Sequence, residues 1–317
     1  MKGDADEMKK EATLTHPTEH PRKGGLNRIK AFDVFVYILL ALFTLICLLP
    51  LLNTLAISFS DRTSAALGQV YILPKNFTLI AYEEMVKDTR YFTAFGVSLL
   101  RVALGCLINV TVSILMAYPL SRSRKAFRAR NVYMWLLVFC MMFNGGLIPN
   151  YLLIKQLGLM DTIWALVLPG AVPVFSVVIL MNFFKGIPNA LEEAALVDGA
   201  TPPYILFRIY VPLAKASIAT IALFSVVGHW NAYFDGKIYI NTAAKQPLQT
   251  YLQALSAELS MSEMANLQPE EIIRRLQLSD ITFNSAKAMF SMIPILLIYP
   301  FLQKYFVTGM VMGSVKE

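Results

Sequence analysis

The sequence predicts an all-α membrane protein with six transmembrane helices and both termini in the cytoplasm, and three observations lead there. Hydrophobic residues make up 56% of the 317 positions and charged residues only 15%, with a mean hydropathy of +0.54. Soluble domains hold about 45–50% and about 25%, and a chain this apolar could not cover a soluble core with polar surface. The charges fall into short intervals between long uncharged runs, and Lys and Arg are unevenly shared between alternate intervals.

Span one, 33–58, lies in 27 uncharged residues between Asp33 and Asp61, where about 20 suffice to cross a bilayer core. Basic residues precede it, but the run is too long for a signal peptide and no convincing cleavage site follows, so it is read as a retained anchor. Span two, 92–119, joins the uncharged Val102–Ser121 to Tyr91–Leu100 across Arg101. Spans three, 131–150, and four, 162–184, sit in uncharged runs of 24 and 23 residues. Span five, 215–235, takes the 19 residues Ala216–Phe234, and span six, 286–306, grows from the 16 residues Ala288–Gln303. Pro149, Pro169, Pro173, Pro294 and Pro300 fall within spans. Each removes a backbone donor and bends or interrupts its helix, and in a bilayer the freed carbonyl needs a partner or a water-lined cavity.

Orientation follows from the basic residues. With the N-terminus inside, the cytoplasmic segments hold 17 Lys/Arg and the outer loops 10. Arg122, Arg124, Lys125, Arg128 and Arg130 crowd the short interval Ser121–Arg130, where the positive-inside signal is strongest. The net charge of +7 and the pI near 9.2 are therefore a topology signal, and no nucleic-acid partner is expected. Residues 1–30 are polar, charged and unpatterned, and are expected to be a disordered cytoplasmic tail; residues 31–317 form the membrane domain. The outer loop 236–285 is expected to carry a short helix at Pro269–Gln277, with Pro269 in its first turn, and to offer a docking surface to an external partner.

Cys47, Cys106 and Cys140 lie in apolar runs and form no disulfide framework or metal pair. His16, His20 and His229 are too scattered for a metal or acid–base site. No GxxxxGK[ST] loop is present to cradle a nucleotide, so neither an enzyme nor a bound cofactor is expected.

The segment 186–213 is the most informative. Pro188 can open a helix with Glu192 and Glu193 near its positive end. Gly199 suits a left-handed cap and a sharp turn. Thr201 and Pro202 can start a second helix that Pro212 stops. Two short helices thus meet at a glycine-centred corner facing the cytoplasm.

The pattern Glu193-Ala194-Ala195-x-x-Asp198-Gly199-Ala200, followed by Phe207-x-Ile209-x-x-Pro212, resembles the EAA loop of ABC importer permeases, with Val211 where Leu is commoner. Ala117-Tyr118-Pro119-Leu120-Ser121-Arg122, Phe143-Asn144-Gly145-Gly146-Leu147-Ile148-Pro149, His229-Trp230-Asn231 and the ending Gln303-Lys304-Tyr305-Phe306-Val307-x-Gly309 are similar to sugar-importer permeases. The likeness covers residues ~30–317 and points to the MalG-like branch, specifically the LplC/YtcP-type oligosaccharide permeases. It implies a type I importer fold and a pore-forming subunit without chemistry of its own. It also implies a second homologous permease subunit, two ATPase subunits that use ATP and Mg, and an extracytoplasmic solute-binding protein. The helix carrying Glu193–Gly199 would be the coupling helix that docks on the ATPase. The tail with Gly309 and Gly313 would run along the ATPase interface.

Candidate pathway residues come from the spans. Arg101 is an intramembrane charge that faces a cavity or snorkels to the interface. Asn109, Asn144, Asn182 and Asn231 suit helix–helix hydrogen bonds as readily as sugar contact. His229, Trp230, Asn231 and Tyr233 cluster near the outer end of span five. Aromatic faces with polar neighbours suit a sugar ring, and Trp and Tyr also anchor spans at the interface. A secondary transporter would need intramembrane carboxylates and inverted repeats; the span interiors lack Asp and Glu and show no clear repeat.

Overall fold

A computed structural model describes residues 31–258 and 281–314, among which every regular element is helical. The tail 1–30 and the short helix expected at Pro269–Gln277 lie outside the described residues. Three helices are individually long and apolar enough to cross a membrane, Phe32–Ser58, Thr89–Ser121 and Ile281–Ile298, and the number rises to six if each of three bent pairs is one span.

Helix α1 is Ala31–Ser58; within it, one compact unit ends at Pro50 and a second begins at Leu51. In the second unit follow α2 (Arg62–Ala66), α3 (Ile80–Lys87) and α4 (Thr89–Ser121). Next come α5 (Arg130–Met142), α6 (Leu147–Gln156), α7 (Trp164–Gly170) and α8 (Val174–Lys185). The segment expected to carry the EAA loop forms α9 (Asn189–Val197) and α10 (Pro202–Leu213), and the chain goes on through α11 (Lys215–Asn231) and α12 (Phe234–Tyr239). Helices α13 (Leu248–Glu258) and α14 (Ile281–Ser314) complete the described chain.

Three bends interrupt the chain, two within the spans expected at 131–150 and 162–184, where prolines were expected to bend or break the helix, and one just before the span expected at 215–235. Helices α5 and α6 meet at 114°, because Gly146 takes φ +85° and the Asn144 side chain accepts its N–H at 2.9 Å. Helices α7 and α8 meet at 47° across Pro173, which has no N–H to continue the first helix. Helices α10 and α11 meet at 83° at Ala214. Helix α10 thus ends at Leu213, one residue past the Pro212 that was expected to stop it before span five. The widened π turn Leu206–Tyr210 precedes it and Pro212 is accommodated in the last helical turn. Pro294 and Pro300 are likewise absorbed inside α14.

Helix α4 is the hub, packing most extensively on α11 and then on α8, while α11 also packs on α14. Its buried positions include Ser98, Arg101, Gly105, Asn109 and Ser113. The three- and four-residue steps put them on one face. Leu99, Leu100, Leu107 and Leu115 on the other faces are exposed, an arrangement suited to lipid contact. Apolar clusters flank this polar stripe. One, with Ala117, Leu120, Leu180, Phe184, Ile205 and Tyr210, seats α9 and α10. Another, with Met85, Tyr91, Ala94, Trp230 and Leu248, holds the end assigned to the outside.

Candidate functional site

The polar stripe of α4 opens on a cavity of about 430 Å³. Arg101 and Asn109 from α4, Pro169 and Gly170 from α7, Pro173 and Ser176 at the start of α8, Ser225, Gly228 and His229 from α11, and Asp235 and Tyr239 from α12 line it. The broken ends of α7 and α8 supply irregular backbone at this depth. Such backbone is tolerated in a membrane where it is buried in protein or borders a cavity.

Arg101 is 2% exposed and is held by acceptors on three segments. Its guanidinium forms an ion pair with Asp235, donates to the Ala232 carbonyl at 3.1 Å and reaches the Leu166 carbonyl at 3.5 Å. Its Nε is buried without a partner among the described residues. One turn below, no Cβ stands at Gly105, and the His229 ring occupies the space that one would fill. Asn109 Nδ2 donates to Ser225 Oγ at 3.1 Å and lies 3.3 Å from His229 Nε2, which accepts from it in the tautomer protonated on Nδ1. Asn109 Oδ1 is buried without a partner among the described residues. Buried polar atoms are normally paired, so two open valences beside one cavity mark it as more than a packing gap.

Of the pathway candidates, the structure brings Arg101, Asn109 and His229 together. Trp230 is 3% exposed and packs edge-on to Phe95, 5.7 Å between ring centroids, in the outer cluster. Asn231 and Tyr233 are exposed outside the cavity lining. Successive residues of a helix point about 100° apart, so His229, Trp230 and Asn231 cannot share one face, and Tyr233 lies past the end of α11. Asp235 and Ser225 were missed. The signal for Asp235 was available, since an intramembrane Arg calls for a countercharge.

At the inner end of α4 lies the corner. Helix α9 ends with Ala200 N–H bonded to the Ala195 carbonyl at 2.9 Å and Gly199 at φ +79°, a left-handed cap of the kind the sequence suggested. Ala195, Ala200 and Ile209 pack toward the core. Glu193, Ala194, Asp198, Gly199, Phe207 and Pro212 are exposed, and Val197 is 88% exposed. Leu191, Ala194, Asp198, Tyr204 and Arg208 border a second cavity of about 750 Å³ at this surface. Exposed apolar side chains are thus ringed by charge at this turn.

Two clips fasten the end assigned to the outside. Asp161, at φ +59°, accepts from the backbone of Asn241 and Thr242, the Thr242 hydroxyl and Lys245 Nζ. The Lys245 ammonium first, and then Thr242 and Asn241, hold its carboxyl well below the usual carboxylate range. Asp88 caps α4 by accepting from the Arg90 and Tyr91 N–H groups and also receives Lys287 Nζ at 2.5 Å and Tyr251 Oη at 2.8 Å. Lys287, 1% exposed, lies over the Phe283 ring at 3.8 Å.

Residues 109–312 match the family model described as binding-protein-dependent transport system inner membrane component. The chain is 38% identical over 292 residues to the polygalacturonan/rhamnogalacturonan transport system permease protein YtcP of Bacillus subtilis (strain 168), covering 90% of this chain and 99% of that one. It is 38% identical over 304 residues to protein LplC of the same organism, covering 94% and 98%. Among solved structures, a chain of a bacterial ABC transporter involved in the import of the acidic polysaccharide alginate superposes with a TM-score of 0.78. The two are 30% identical, over 88% of this chain and 98% of that one.

Proposed function

This chain belongs to the family of binding-protein-dependent transport system inner membrane components, and on that premise we propose that it carries an oligosaccharide through the membrane by alternating access, driven through the corner of α9 and α10. It is a multi-pass permease subunit of a carbohydrate ABC importer and not itself an enzyme. In the proposal it pairs with a second, homologous permease. Two ATPase chains bind ATP and Mg and dock on the exposed face of α9, and an extracytoplasmic binding protein delivers the sugar. Residues 31–317 act as one membrane domain with the corner on the cytoplasmic side.

The observation that carries this reading is the arrangement along α4. Its middle borders a cavity lined by Arg101, Asn109 and His229, and its inner end abuts the corner with Glu193 and Val197 exposed. Closure of the ATPase dimer on ATP would move the corners and turn the cavity outward, and hydrolysis would reset it. A ligand shifts such an equilibrium only through different affinity for its two states, so loaded binding protein must favour the outward one. In the cavity, the imidazole and amide of His229 and Asn109 suit sugar hydroxyls.

The test reconstitutes the whole transporter in proteoliposomes and follows ATP hydrolysis with and without loaded binding protein. Glu193→Lys and Gly199→Pro are expected to insert normally yet lose at least tenfold of the stimulated turnover. Unchanged stimulation in both variants removes the corner from the coupling path.

A further inference from the structure

Of the five basic residues in the interval Ser121–Arg130, Arg122 is the one drawn into an internal network with the corner. Its side chain is only 12% exposed. The guanidinium lies between two tyrosine rings, 4.2 Å from the centroid of Tyr118 and 4.5 Å from that of Tyr210. It forms an ion pair with Glu192 of α9 and donates from Nη1 to the Tyr210 hydroxyl at 2.9 Å; that hydroxyl in turn donates to Glu192 at 3.3 Å. Its backbone N–H closes the last turn of α4 on the Pro119 carbonyl at 3.3 Å. One residue thus joins the end of α4, the first helix of the corner and the π turn of α10.

The chemistry selects arginine. A planar guanidinium stacks on aromatic faces and presents several donors in a fixed fork, which lysine cannot do. The surroundings make the tie stiff, because Tyr210 is also braced edge-on by Phe184 at 5.4 Å and by Tyr118 at 5.3 Å. Glu193, the neighbouring acid, points outward. The two adjacent carboxylates therefore divide their duties: Glu193 faces the surface where a partner docks, and Glu192 faces back into its own subunit.

Resting on the coupling role proposed for α9, we infer that Arg122 is the positioning residue that locks α9 to the inner end of α4 through Glu192 and Tyr210. Displacement of the corner is thereby passed to the helix that carries Arg101 and Asn109. Without the lock, α9 still docks on the ATPase, but its motion is no longer passed to α4 and so does not reach the cavity.

The complete transporter in proteoliposomes tests this with two readouts from one sample, sugar taken up and ATP hydrolysed. Arg122→Gln and Glu192→Gln are expected to keep co-purifying with the ATPase and to keep hydrolysing ATP, while sugar transported per ATP falls about tenfold. The exchanged pair Arg122→Glu with Glu192→Arg is expected to recover several-fold of that ratio relative to either single exchange. Single variants with an unchanged ratio, or an exchanged pair no better than its singles, overturn the inference. If Glu193→Lys and Gly199→Pro leave stimulation by loaded binding protein unchanged, the coupling role of α9 falls and this inference falls with it. Lost stimulation in those two together with unaffected Arg122 and Glu192 variants overturns the Arg122 lock alone.

Discussion

The position of an arginine inside a membrane is decided by the acceptors it can find there. Arg101 finds a carboxylate and two backbone carbonyls, and the helix order places these on segments more than 60 residues away in sequence. The sequence singled out Arg101, Asn109 and His229 separately, by polarity in an apolar run. It could not show their convergence, because Asn109 meets His229 across 120 residues. Asp235 escaped notice for a similar reason, since it stands at the edge of an expected span and only the turn after α11 folds it back. Removing one partner of a buried ion pair strands the other and costs about 3–5 kcal/mol, whereas replacing both with apolar groups is often near neutral. Arg101→Leu is therefore expected to lower the unfolding free energy in detergent by an amount of that order. Arg101→Leu with Asp235→Leu should return most of it. A double variant as unstable as the single would show that Asp235 is not the partner that matters.

At the scale of elements, what was legible was what is local. The corner was readable because its determinants, Pro188, Glu192, Gly199 and Pro202, act within a turn or two of their own positions, and Gly199 does take the left-handed conformation. The bends at Ala214 and at Asn144–Gly146 were not assigned angles, because proline and glycine announce a break without its direction. The clip at Asp161 belongs to the same class of unread features, joining the turn before α7 to the segment after α12 over 80 residues. Its energetics carry a definite pH sign. The folded carboxyl ionises well below its ordinary value, chiefly because of Lys245 and Thr242. Its stabilisation is then complete above the unfolded value of about 3.9 and is lost as pH falls through the folded one. Asn keeps the left-handed backbone and loses the charge. Asp161→Asn is expected to lower the melting temperature at pH 7, with the gap to the unmodified protein narrowing below about pH 4. A gap that stays constant from pH 7 to pH 3 would mean that the carboxylate contributes nothing through its charge.

For the whole molecule, the distribution of charge sets the orientation of the chain in the membrane before any contact is considered. Seventeen basic residues on one side against ten on the other orient the chain, and the fold puts that asymmetry to use. The basic interval after α4 sits beside α9, so the residues that fix orientation also bring Arg122 to Glu192. The outer clips at Asp88 and Asp161 lie at the far end of the same helices. An importer needs this polarity, because substrate arrives at one face and energy at the other. The assignment can be checked without substrate. In a variant with Cys47, Cys106 and Cys140 replaced by serine, single cysteines at Lys125 and Lys75 are exposed probes of the two faces. A membrane-impermeant thiol reagent applied to intact cells is expected to label the cysteine at 75 and to spare the one at 125 until the membrane is opened. The reverse pattern would invert the chain, and the corner of α9 and α10 could then no longer meet an ATPase in the cytoplasm.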